Sequence, residues 1–356
     1  MDAPADIRLT RFSHGGGCGC KIAPAVLSRL LAASPLRAMP GELMVGVETG
    51  DDAAVWRLDA ERALVATTDF FTPIVDDPGD FGRIAAANAL SDLYAMGARP
   101  ILALAIVGMP LDKLPLEVIS RILAGGESVC AQAGIPIAGG HSIDVPEPIY
   151  GLVALGLVHP AHVKRNRSAR AGDLLVLGKP LGVGILSAAL KKDGLSESGY
   201  ARMIEHTTRL NTPGMRLAAL EDVHAMTDVT GFGLAGHLLE ICRGSGLAAK
   251  LAWGGLPFIA EAVELARRGV ATGASARNWS SYGTQVELPE GFEDWKRALL
   301  TDPQTSGGLL VACAAGSAGR VIELFREEGF ADAAVIGGIE AGAPRIRVLS
   351  AAGAAA

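Results

Sequence analysis

The chain has 356 residues, enough for about two domains of ordinary size. Hydrophobic residues make up 49% and charged residues 20%, a globular composition that excludes a disordered chain. Lys and Arg number 32 against 38 for Asp and Glu, a net charge of -6, and aromatics are 5%; both argue against a nucleic-acid binder.

The first forty residues read as irregular. Ser13–Cys20 carries four glycines in eight residues, the mark of a flexible loop. A short helix is expected over Ala23–Leu31, ended by Ser34-Pro35. Short strands follow at Leu43–Glu48, Ala53–Leu58 and Ala63–Thr68, rich in Val and Leu. Helices are expected at Phe81–Met96 and Leu116–Ala133, and strands at Ile101–Val107, Ile135–Ala138 and Tyr150–Val158. The basic, polar stretch His162–Arg170 breaks this rhythm and marks a domain boundary near 165–172. The alternation restarts with a strand at Asp173–Gly178 and runs through Val311. The fold class is therefore α/β or α+β, divided as a Gly-rich loop and N-terminal segment (1–42), an N-terminal domain (43–168) and a C-terminal α/β domain (169–356). The N-terminal segment lacks an apolar run, so no secretory signal is expected. The longest apolar stretch, Ile101–Leu111, contains Gly108 and Pro110 and is too short for a membrane span. With five cysteines, an odd number, the chain reads as cytoplasmic and reduced.

Two glycine motifs fail as nucleotide signatures. Gly15–Lys21 lacks the Ser or Thr that a P-loop places after its lysine. Gly231–Gly236 matches GxGxxG after a strand, but Lys250-Leu251-Ala252 supplies no ribose-binding acid. The loop Cys18-Gly19-Cys20-Lys21, with His14 nearby, reads differently from the apolar settings of Cys130, Cys242 and Cys313. A thiol beside Lys and His is expected to have a lowered pKa and to be reactive; an inert loop cysteine and a metal ligand are the competing readings, and a metal would need a fourth donor. Acids recur at strand ends: Asp51-Asp52 in a turn, Asp69 after Thr67-Thr68, and Asp228 after Thr227. Asn88 and Asp92, four apart, share one helix face with Ala85 and Ala95, small enough to admit a ligand. Clustered carboxylates suit Mg²⁺ bridging to ATP phosphates. Gly139–Ser142 offers backbone N–H groups to a phosphate or ribose. Asp302–Gly308 reads equally well as a turn before the strand Leu309–Ala312.

Together, Ser13–Lys21, Thr49–Val55, Thr67–Phe71, Asn88–Gly97, Ala138–Asp144, Met226–His237 and Asp302–Gly308 resemble the selenophosphate synthetases (selenide, water dikinases). The likeness runs from about Arg8 to about Val348. Several of these motifs are shared with the wider superfamily of aminoimidazole ribonucleotide synthetase-like ATP enzymes; the Cys-Gly-Cys-Lys loop is specific to the selenophosphate branch. The resemblance implies conversion of ATP, selenide and water to selenophosphate, AMP and phosphate, with Mg²⁺ required. It implies a homodimer whose N-terminal domains share a β-barrel, ahead of a C-terminal α/β domain. Carried across, Cys18 and Lys21 match the catalytic positions. Lys21, Thr49, Gly50, Asp51, Asp69, Asp92, Gly140, His141 and Ser142 match nucleotide contacts, and Asp52, Asp92 and Asp228 match metal ligands. A selenium-delivery protein would be a further partner, whereas nucleic acid and membrane are not. ATP beside five aspartates would gather about nine negative charges, which requires bridging cations. Two alternatives remain: another ATP-dependent enzyme of the superfamily, and a non-enzymatic selenium or metal carrier using the Cys-Gly-Cys loop.

Overall fold

The computed structural model describes residues 7–13, 15–22, 26, 30, 40–46 and 51–350. Most of the helix expected over Ala23–Leu31, together with His14, Thr49 and Gly50, lies outside the described residues.

Two sheets organise the chain. The first contains β1 (Leu43–Val45), β2 (Ala54–Arg57), β3 (Ala63–Phe71), β4 (Arg99–Met109), β5 (Ile137–Asp144) and β6 (Ile149–Val158), in the order β1-β2-β3-β6-β4-β5. All its pairings are antiparallel except β4 with β5. The second contains β7 (Leu174–Leu177), β8 (Val223–Asp228), β9 (Ala248–Ala252), β10 (Val286–Glu287), β11 (Leu309–Cys313), β12 (Ala334–Glu340) and β13 (Ile346–Leu349), in the order β10-β13-β9-β12-β7-β11-β8.

The helix Pro78–Ala95 is set up locally. Asp77 accepts the Asp80 N–H at 2.8 Å as N-cap, Pro78 occupies the first turn, and Gly97 follows the end at φ +78°. Phe81, Ile84, Leu90 and Leu93 are fully buried along it, each worth about 1.5–3 kcal/mol of apolar burial. The helix Leu116–Gln132 crosses it closely: a Cβ on Gly82 would lie 1.9 Å from the Ile122 carbonyl, and one on Gly125 2.2 Å from that of Gly79. One core joins this pair to the first sheet and continues into Val183, Ile185 and Met203 of the second half. That continuity holds acids from both halves around one site.

β5 departs from the sequence reading. The expected strand stopped at Ala138, with a glycine-rich loop beyond it, yet pairing with β4 carries the strand through Gly140, His141 and Ser142 to Asp144. Gly140 sits at φ +154°, where a Cβ would fall 2.1 Å from the Ala105 carbonyl. Ladder hydrogen bonds override the polar composition. Among the described residues, no helix is long and apolar enough to cross a membrane.

Candidate active site

Three aspartates from distant parts of the chain converge. Asp52 precedes β2, Asp92 lies on the helix Pro78–Ala95, and Asp228 ends β8. One carboxyl oxygen of each lies within 4.8 Å of the others. Threonines orient two of them: Thr227 donates to Asp52 at 2.7 Å, and Thr67 donates to Asp92. Asp52 Oδ2 and Asp228 Oδ2 are buried without a protein partner. Burial and mutual repulsion push Asp52 and Asp92 well above the usual carboxylate range. Burial also raises Asp228, against the lowering effect of Ser91, His237 and Lys21. Hard oxygen donors, two of them orphaned, form a donor set fitted to Mg²⁺.

Asp69, on β3, forms the edge of this cluster. Its Oδ2 accepts from Lys21 Nζ at 3.1 Å and from Asn88 Nδ2 at 2.8 Å. Loss of hydration works against the Lys21 ammonium, but the carboxylates, Asp69 foremost, outweigh it and hold the lysine well above its ordinary pKa.

The Cys18 loop differs from its expected form. Gly17–Cys20 forms a 3₁₀ turn folded down between the two halves, and Cys18 is 1% exposed. The Gly17 N–H donates to the Thr72 carbonyl at 2.8 Å, and the Cys18 N–H to Thr305 Oγ1 at 3.2 Å. Glycines here serve close approach: at φ +54°, a Cβ on Gly17 would meet Ile74 Cγ2 and Thr305 Oγ1 at 2.3 Å. Cys18 Sγ donates to Asn88 Oδ1 at 3.3 Å. The expectation of a lowered thiol pKa is corrected. Burial pushes Cys18 far upward, Lys21 offsets only part of this, and Asp69 and Asp228 add to it. The closed loop therefore holds a protonated thiol. Its setting is as buried as those of Cys130, Cys242 and Cys313.

Asn88, which the sequence places only on the same helix face as Asp92, is a hub of the site. Besides Cys18 and Asp69, it accepts the Ser306 N–H at 2.8 Å. Asp302–Gly308, readable as a simple turn, therefore helps build the site through Thr305 and Ser306. Ser306 is held at φ +52°, and buried Lys179 donates to its carbonyl at 2.9 Å. The TTD and TD motifs were visible; that their threonines clamp neighbouring acids was not. Ala85 and Ala95, expected to admit a ligand, are packed in the core instead. Gly231–Gly236 leads into the helix Gly233–Ser245, but its glycines meet protein: a Cβ on Gly231 would lie 2.7 Å from the Cys18 carbonyl, and one on Gly233 2.7 Å from the Thr301 backbone.

Asp51 accepts the Asn166 N–H at 2.7 Å. Gly140, His141 and Ser142 line a separate hollow of about 230 Å³ on the exposed face of β5, and no aspartate of the cluster borders it. Within one chain, the structure does not bring these three residues to the acids.

Residues 50–158 match the family "AIR synthase related protein, N-terminal domain", and residues 170–348 match the corresponding C-terminal domain family. A curated relative from Burkholderia pseudomallei (strain K96243), "Selenide, water dikinase", is 65% identical over 341 residues, covering 96% of each chain. The chain belongs to the selenide, water dikinase family. A second relative of that name, from Pseudomonas straminea, is 62% identical with 96% of each chain covered. Among solved structures, thiamine-monophosphate kinase from Stenotrophomonas maltophilia K279a aligns with a TM-score of 0.63 at 22% identity, over 94% of this chain and 98% of that one. Hydrogenase maturation protein HypE in complex with ATP aligns with a TM-score of 0.64 at 21% identity, over 84% and 85%. These structures share the two-domain AIR synthase-like fold with the family.

Proposed function

We propose that the chain catalyses the selenide, water dikinase reaction, converting ATP, selenide and water to selenophosphate, AMP and phosphate. The observation that carries this reading is the convergence of Cys18 and Lys21 onto the acid cluster through Asn88 and Asp69. Full-length relatives of that name support it.

Asp52, Asp92 and Asp228 would hold Mg²⁺, which when bound supplies Lewis acidity and a template for the phosphates. Lys21 is placed to stabilise negative charge on a transferring phosphoryl group. The closed loop, sealed by Thr72, Thr305 and Asn88, excludes water from that transfer. Cys18, protonated while closed, must lose its proton or its burial before it can engage selenium; movement of the loop does both. Thr49, Gly50, Asp51, Asp69 and Asp92 would contact the nucleotide from this chain. Gly140, His141 and Ser142 would contact it across a homodimer. β5 is exposed along nearly its full length and leaves one ladder edge open, and Ile143 and Phe70 are 51% and 48% exposed. Pairing two such edges would complete a shared barrel. The division at 42/43 and 168/169, a cytoplasmic location and a selenium-delivery partner belong to the same reading. The test is ATP consumption with and without selenide, followed by phosphorus NMR. Selenide-dependent AMP and selenophosphate are expected, and ADP as the end product would overturn it.

A further inference from the structure

Beside the glycine-rich loop lies a cleft of about 710 Å³, bounded by Pro73–Ile74, the helix Val183–Leu190 and the start of the helix Gly273–Tyr282. Its charged lining is of one sign. Lys21, Lys191, Lys192 and Arg277 border it, and no acidic residue does so among the described residues. The neighbouring Asp193 is drawn away into an ion pair with Arg8. In a chain of net charge -6, whose clustered aspartates do not border the cleft, this is a local reversal of sign. Two of the cations also hold the wall: Lys191 Nζ donates to the Ser13 carbonyl at 2.8 Å, and Arg277 to that of Gly19 at 2.9 Å. Arg277 and Gly19 also border a second hollow, with Cys18, Lys21 and Asn278, of about 10 Å³. That is room for about one water-sized particle.

We propose that this cleft is the entry port for a small anionic chalcogen, hydrogenselenide, with Lys192 and Arg277 guiding it to the hollow against Cys18. The inference rests on the selenide, water dikinase reading and adds a separate route for the second substrate. Two anions must reach one site. ATP with its cations belongs to the acid cluster, and a second anion arriving there would meet the aspartates and the phosphates together. A cleft of positive sign with low-dielectric walls raises the local concentration of the anion instead. The hollow is far too small for a phosphate, which leaves it to a monatomic anion once the loop yields slightly.

The test is steady-state kinetics of AMP release with sodium selenide under anaerobic conditions. In Lys192→Glu, at low ionic strength, the KM for selenide is expected to rise about five-fold or more while the KM for ATP moves less than two-fold. Lys192→Gln should give a smaller rise, and Lys192→Arg should match the wild type. The difference should shrink toward 1 M salt, where screening acts within about 3 Å. An unchanged selenide KM in both Lys192→Glu and Lys192→Gln, or an equal rise in the KM for ATP, overturns the port. If the wild-type chain releases no AMP in response to selenide, the underlying reading fails instead.

Discussion

Asp228→Asn should strengthen the metal-free protein while disabling it. Asp228 is 1% exposed, and one of its carboxyl oxygens lies within 4.8 Å of those of Asp52 and Asp92. At an effective dielectric of about 20, each fully ionised pair at that distance repels by about 3.5 kcal/mol. The amide keeps the shape and removes two of the three repulsions, up to about 7 kcal/mol. Protonation already relieves part of this, because burial raises all three carboxyls. The expected net gain is about 1–2 kcal/mol, or a rise of a few degrees in melting temperature. A carboxyl whose folded pKa is raised loses its stabilising contribution as pH rises from the ordinary carboxylate value of about 4 through the folded one, so the advantage of the variant should grow as pH rises above about 4. In wild type, Mg²⁺ at a hundred times its Kd should add about 2.7 kcal/mol, and the variant should lose most of that increment. Selenide-dependent AMP release should fall by about a hundred-fold or more. Thermal unfolding in chelator across a pH series and in Mg²⁺, paired with turnover, reads all four effects. A variant that melts below wild type in chelator and still turns over at full rate refutes the reasoning.

Cys18→Ser should abolish selenophosphate formation while ATP binding survives, and Cys20→Ser should be milder; an active Cys18→Ser beside a dead Cys20→Ser would reverse the assignment. Asn88→Ala strips Cys18, Asp69 and Ser306 of a partner, so it should cost about 3–5 kcal/mol in urea unfolding and most of the activity; a loss below about 1 kcal/mol would remove Asn88 as the hub. Gly17→Ala cannot keep the closed loop, so Cys18 should react with a disulfide reagent about ten-fold faster, and an unchanged rate would contradict the packing. Asp302, buried beneath the helix Val183–Leu190, has its pKa raised to about 7 by burial. Between pH 4 and pH 7 the unfolded chain is ionised there while the folded chain holds the proton, so wild-type stability falls as pH rises. Asp302→Asn removes that dependence, and its stability relative to wild type should climb across this window by about 3–5 kcal/mol in urea melts; a flat difference would be the contrary result.

Much of this protein was legible in local sequence. The strands at Ala54–Arg57 and Leu309–Cys313 and the helices at Pro78–Ala95 and Leu116–Gln132 follow from apolar patterning and capping, because those signals act over a few residues. Residue chemistry likewise marked the acids at strand ends and on the first long helix as groups that could converge, and the Cys-Gly-Cys-Lys loop as special; the family resemblance, not the residues alone, singled out Asp52, Asp92 and Asp228, which the fold brings together. Tertiary structure decided the rest. β5 ran past its polar glycines because β4 offered a ladder, and a strand's length depends on its neighbour as well as on its own composition. The Gly17 loop read as an irregular, exposed segment, but glycine also permits close packing, and only the positions of Ile74 and Thr305 show the closed conformation it adopts. Cys18 beside Lys21 looked like a thiolate, yet burial between the halves outweighed the adjacent charge, and burial is a property of the fold. Asn88 joined Cys18, Asp69 and Ser306, which are separated by up to 288 positions in the chain and brought together by the core that spans both sheets. Local sequence determined which groups were present; long-range packing determined which of them meet.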